Sequence, residues 1–202
     1  MQLKFIKILI KPSSSFSLLT ISEYVLNQGF IIIFKKYFNS QELIIFNASK
    51  TLVNYLKTIQ GLIASSVFPV FNVYFGKKQL QNLRRIFKKS NNTTIILSLI
   101  LSCLLAFFGS LIWDLWIGGS IAFNEELFYF LILIQIISSF WIIPSNLIVS
   151  INKHFTLSIL YLTSSLLSLI SFYIVVENLI VSIALVPIFY LFHQLIMLYY
   201  CN

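Results

Sequence analysis

Apolar positions run through this chain in long blocks separated by short polar intervals, with none of the two-residue alternation of a half-buried strand. A helix rising 1.5 Å per residue needs about 20 apolar residues to cross a hydrocarbon core of about 30 Å. By that measure the blocks predict six spans, at Ser14–Phe34, Leu43–Phe75, Thr93–Gly118, Leu127–Ile151, Phe155–Val176 and Asn178–Tyr200. The second block has 33 positions, about 50 Å of helix, so it must tilt, protrude or bend, and Pro69 near its end is the expected bend site. Pro144 and Pro187 lie inside the fourth and sixth blocks, where kinks are expected and neighbouring helices can satisfy the freed carbonyls.

Composition agrees with the pattern. Of the 202 residues 58% are hydrophobic and 10% charged, against roughly a quarter charged in soluble domains, so a water-facing shell cannot be built. The expected fold class is all-α, a polytopic membrane protein with six transmembrane helices forming one lobe over residues 1–202. The formal charge of +8 collects in the gaps between apolar blocks, which membrane topology explains before nucleic acid does. Lys4, Lys7 and Lys11 precede the first span, Lys77, Lys78, Arg84, Arg85, Lys88 and Lys89 follow the second, and Lys153 follows the fourth. These share one face, and the connectors of the other face carry Glu42, Glu125, Glu126 and Glu177 with Lys35 and Lys36 as their cations. Both termini are therefore expected in the cytoplasm. Trp113 and Trp116, at the outer end of the third span, are expected in an interfacial aromatic belt. Lys7 and Lys11 interrupt the first apolar stretch and no A-x-A-like cleavage site follows, so the amino terminus reads as retained. The sequons at Asn47, Asn91 and Asn92 fall in a span or on the inner side and read as chance matches.

Chemistry concentrates on the first two spans. On a 100° wheel Asn47, Lys50, Asn54, Lys57, Gly61 and Ser65 lie within about 80° of one another. A lysine near the bilayer centre costs a few kcal/mol, so this stripe either lines a polar cavity or sends its lysines toward headgroups, the latter easier for Lys50 than for the deeper Lys57. Thr20, Glu23 and Asn27 share a face of the first span, and Glu23 either neutralises Lys57 or Lys50 across an antiparallel pair or carries a coupling proton or cation. In the basic connector, Leu80, Leu83 and Phe87 have the spacing of one helical face, which predicts a short helix lying in the inner interface against membrane lipids. The two readings of its charge are orientation alone and contact with a pyrophosphate headgroup. Asp114 beside Gly118 and Gly119 marks a helix end, and His154 and His193 read as boundary or packing residues. Cys103 and Cys201 have neither disulfide nor metal-ligand spacing, and no nucleophile–base pair or Gly-rich phosphate loop is present, so no cofactor, metal or enzyme activity is expected.

Taken in order, the segments from Ser17 to Tyr173 resemble the polysaccharide or O-antigen flippases of the multidrug/oligosaccharidyl-lipid/polysaccharide exporter superfamily. The features that carry the resemblance are the small residues Gly61-Leu62-Ile63-Ala64-Ser65-Ser66 running into Phe68-Pro69-Val70-Phe71, then Gly76 with its basic connector, and Leu115-Trp116-Ile117-Gly118-Gly119 closing the third span. The resemblance implies one lobe of a two-lobe transporter, more like the carboxyl-terminal half, that moves an undecaprenyl-pyrophosphate-linked oligosaccharide across a bacterial inner membrane by alternating access. It also implies cations facing the cavity, for which Lys50 and Lys57 are the candidates. The partner would be a second lobe, either an amino-terminal half or a second copy, since polar stripes on two helices cannot all face lipid at acceptable cost. Three other classes stand beside this one: a cation-coupled small-molecule exporter of the same superfamily with Glu23 as its coupling carboxylate, a non-transporting membrane protein or remnant, and a membrane glycosyl-transfer enzyme, for which the outer connectors are short.

Overall fold

The computed structural model describes residues 2–118, 121–178, 183 and 186–201, with the side chains of residues 2–9, 11 and 178 left aside. Lys4, Lys7 and Lys11, Gly119, and the expected start of the sixth span at Asn178 therefore fall wholly or in their side chains outside the described residues. Among the described residues seven helices follow one another: α1 (Gln2–Tyr37), α2 (Ser40–Gly76), α3 (Leu80–Ile117), α4 (Glu125–Ser139), α5 (Ile142–Ser150), α6 (Phe155–Asn178) and α7 (Val186–Cys201). No strand occurs among the described residues. Five rods are long and apolar enough to cross a membrane, α4 and α5 together making one of them, and α7 is a shorter apolar helix of 16 described residues. The chain is a multi-pass helical membrane protein.

Local chemistry accounts for the breaks. The α1–α2 turn is closed by a capping box in which Glu42 N donates to Asn39 Oδ1 at 2.8 Å and Asn39 N donates to Glu42 Oε2 at 3.1 Å. Pro144 has no N–H for the Phe140 carbonyl, and the chain responds there with tighter i→i+3 bonds, Phe140 N to Ile137 O and Trp141 N to Ser138 O, both 3.2 Å. The expected kink in the fourth span is thus a break between α4 and α5. Pro187 is the second described residue of α7, and the two residues before Val186, where the kink expected in the sixth span would show, lie outside the described residues. Helix α2 continues through Pro69 to Gly76.

The basic connector corrects the expectation of a separate interfacial helix. Lys77, Lys78 and Gln79 form the turn, with Lys78 at φ 57°, and everything from Leu80 onward belongs to the single 38-residue helix α3. Neither proline nor glycine interrupts the chain from Leu80 to Phe108, so nothing stops the helix where its charge gives way to apolar residues. Leu83 is buried and Phe87 packs beside it in a small core with Ala64, Val67, Phe71 and Ile143, while Leu80 is exposed. This face is turned to the protein rather than to lipid. Trp113 is a second correction: it is fully buried, its Nε1 donates to the Ile121 carbonyl at 2.9 Å, and it anchors the α3–α4 loop against Phe123 instead of lying in an aromatic belt. Trp116 is half exposed.

The helices form two layers. One holds α1 on α6 with α7 alongside; the other holds α2 against α3, α4 and α5. They meet where α7 packs on α4 and at Phe46 of α2, which lies 4.8 Å from Phe34 and 6.4 Å from Tyr190, while Phe30 stacks on Tyr190 at 4.1 Å and on Phe172 at 5.0 Å within the first layer. Helices approach closely at two glycines, the tighter constraint being at Gly109. A Cβ on Gly29 of α1 would strike Leu169 of α6, and one on Gly109 of α3 would strike the fully buried Phe128 ring of α4.

Candidate functional site

Helices α1 and α2 touch near their connector, through Phe34 and Phe46, and elsewhere face each other across a groove of about 610 Å³. One wall is α1, with Thr20, Glu23 and Asn27 at i, i+3 and i+7; the other is α2, with Asn47, Lys50, Asn54 and Lys57 at the same helical spacing. The two polar stripes seen in the sequence are thereby opposed. Gly61 and Ser65, the far end of the α2 stripe, are not part of this groove, and the Ser65 hydroxyl is spent on the Leu62 carbonyl at 3.0 Å.

The two lysines have different surroundings. Lys57 Nζ donates to Glu23 Oε1 across the groove, the single ion pair among the described residues, and roughly half of each side chain, 46% and 50%, stays open. Lys50 turns inward and donates to the Tyr190 hydroxyl at 3.0 Å, its ammonium also lying over the Phe46 and Tyr190 rings. Of the alternatives left open by the sequence, Glu23 pairs with Lys57, and Lys50 points to the interior rather than to headgroups. The lining residues carry two cations against one carboxylate, so the groove has a net positive charge that Lys50 supplies. Such an arrangement suits an anion, with amides and hydroxyls to bond its remaining oxygens.

Several polar residues of the interior escaped the sequence reading. Gln60 on α2 donates to Ser98 Oγ of α3 at 2.8 Å and accepts from Gln135 Nε2 of α4 at 2.7 Å, in a fully buried network. Trp141 Nε1 donates to Gln194 Oε1 at 2.7 Å, joining the α4–α5 break to α7. Their signal in the sequence is no more than a lone amide in an apolar block, which is nonetheless an expensive residue to place there without a partner. His193 is a packing residue, its Nδ1 2.7 Å from Ser164 Oγ and its ring 4.5 Å from that of Tyr161; His154 is buried against Phe16. The basic residues Arg84, Arg85, Lys88 and Lys89 are exposed on the first turns of α3, away from the groove. Among the described residues no three His, Cys, Asp or Glu side chains converge as a metal site would require.

An all-helical membrane fold with a polar groove between its first two helices has a counterpart among solved structures. The fold superposes on a protein described as the crystal structure of MATE in the straight conformation, with a TM-score of 0.72 over 94% of this chain at 14% identity. The chain spans 43% of that protein's length. The fold of this chain is thus like that of about half of that protein. No family model matches the sequence, and no curated protein matches it either.

Proposed function

We propose that this chain is one lobe of an alternating-access exporter that moves a lipid-linked oligosaccharide, an undecaprenyl-pyrophosphate glycan such as an O-antigen or capsule repeat unit, across the inner membrane of a bacterium, with both termini cytoplasmic. The observation that carries the reading is the α1–α2 groove, lined by polar residues of both helices and cationic on balance. A half-open ion pair and a row of amides facing hydrocarbon would cost several kcal/mol, so the groove faces a second lobe, supplied by an amino-terminal half or by a second copy. A match to 43% of a MATE chain supports the same arrangement. In it Lys50 and Lys57 meet the pyrophosphate, Asn47 and Asn54 bond its oxygens or the first sugar, and rocking of the two lobes exposes the groove to either side.

A second reading, a cation-coupled small-molecule exporter, is favoured by the Glu23 carboxylate, which gives one oxygen to Lys57 and lines the groove with the rest. One experiment separates them. The genes are expressed in a strain whose surface glycan depends on this chain, and glycan export and membrane abundance are measured for Lys50→Ala, Lys57→Ala and Glu23→Gln. Loss of glycan with normal abundance in both lysine variants is the expected result. Normal glycan in both, with pH-dependent solute efflux lost in Glu23→Gln, would replace the first reading with the second.

A further inference from the structure

A cavity of about 200 Å³ lies between α1, α5 and α6, sharing Thr20 and Glu23 with the groove but otherwise separate from it. Its walls include two aromatic rings, Trp141 at the α4–α5 break and Tyr161 on α6, set edge to face at 6.1 Å and 62°. The indole is held in place through its Nε1 bond to Gln194. The remaining surface is the hydroxyls of Thr20 and Ser145, the Glu23 carboxylate, and aliphatic side chains.

The hydrogen-bonding character of this pocket is one-sided. Thr20 Oγ1 donates to the Phe16 carbonyl at 3.1 Å and Ser145 Oγ donates to the Ile142 carbonyl at 2.9 Å, so each hydroxyl spends its proton within its own helix and keeps lone pairs for a ligand. Glu23 adds carboxylate lone pairs, and the Tyr161 hydroxyl can serve as donor or acceptor. A ligand here must therefore bring donors. Because Lys57 bonds Glu23 Oε1, the carboxylate's charge is already neutralised, which favours a neutral ligand over a cation. The volume is below the roughly 300–1,000 Å³ of pockets for drug-sized molecules, so it holds one ring rather than a chain of rings.

We infer that this pocket is a subsite for a single neutral sugar ring, its C–H face lying on Trp141 and its hydroxyls donating to Thr20, Ser145 and Glu23. The inference rests on the reading of the protein as a glycan exporter and adds a residue set for it. The ring enters beside the Glu23–Lys57 pair, so that one end of the groove holds the anion and the pocket holds a sugar.

The test uses the full 202-residue chain in lipid nanodiscs and follows tryptophan emission during titration with methyl hexosides, methyl N-acetylhexosaminides and, as the cationic probe, tetramethylammonium. The Trp141→Phe protein supplies the background from Trp113 and Trp116. A saturable change with at least one glycoside, absent in Trp141→Phe and weakened about tenfold or more by filling the pocket with Ser145→Leu, is expected. Saturation by tetramethylammonium alone, a response that persists in Trp141→Phe, or no response to any glycoside each overturns the subsite. The wild-type titration decides even if Ser145→Leu fails to fold. If lysine substitution in the groove abolishes glycan export while the titration is flat, the subsite fails and the exporter reading stands; if export is indifferent to both lysines, that reading fails on its own evidence.

Discussion

Replacing Gln60 by leucine should destabilise the lobe more than any single substitution in the groove, and the structure fixes how much. The change deletes two short bonds, the donation to Ser98 Oγ at 2.8 Å and the acceptance from Gln135 Nε2 at 2.7 Å; two others, to Gln135 O at 3.5 Å and from Ser138 Oγ at 3.4 Å, are too long to count for much. Leucine nearly conserves volume, so packing loss is small. The loss comes from Gln135, 7% exposed, whose amide then has no acceptor; leaving such a group unsatisfied costs about 1–3 kcal/mol. Together with about 0.6 kcal/mol for the Ser98 bond, the average of interhelical bonds within membranes, the expected loss is about 1.5–3.5 kcal/mol. Reversible unfolding in mixed micelles measures it. The companion Gln135→Leu should lose a similar amount, and the double variant should lose less than the two singles summed, with a coupling of about 1–2 kcal/mol, because no orphan amide remains. Strictly additive losses, or a Gln60→Leu protein as stable as the parent, would refute the claim that this network joins α2, α3 and α4.

Three further outcomes are expected. Gly109→Leu should destabilise by about 1–3 kcal/mol in the same unfolding assay, since its side chain must displace the buried Phe128 ring, whereas Gly61→Leu, with open space around it, should be neutral. Asn39→Ala should cost about 1 kcal/mol through loss of the capping box, and Asn39→Ser should retain most of it. Glu23→Gln should change stability by no more than about 1 kcal/mol, because half-open pairs contribute little, while altering export; a large loss of folded protein with unchanged export in the survivors would make the pair a structural clasp.

What the sequence revealed and what it hid follow from the range of the interactions involved. Blocks of hydropathy and the position of Pro144 are local properties, and they located the helices and the α4–α5 break. The opposed stripes of α1 and α2 were legible for the same reason, being periodicities within single helices joined by a short turn. Hydropathy reports where a chain leaves lipid, not where a helix begins, and so the charged first turns of α3 read as a separate helix. Trp113 at the end of an apolar block resembles a belt residue until its partner Ile121, across the α3–α4 loop, is in view. Tyr190, Gln194 and Gln135 meet Lys50, Trp141 and Gln60 over 140, 53 and 75 residues of chain, a pairing that no window of sequence contains.

The lengths of α2 and α3 carry a mechanical implication. At 37 and 38 residues they are about 55 Å long, nearly twice the hydrocarbon thickness, and they are clamped to each other near the Phe71–Leu83 core beside their turn. They form a long hairpin, with the groove-lining residues of α2 toward its open end and the six cations from Lys77 to Lys89 at its turn. The turn lies about 30 Å along α2 from Lys57, so a tilt of about 5° pivoting where Lys57 meets Glu23 would carry the turn by about 2.5 Å, a displacement that a fluorophore on Asn82 would report.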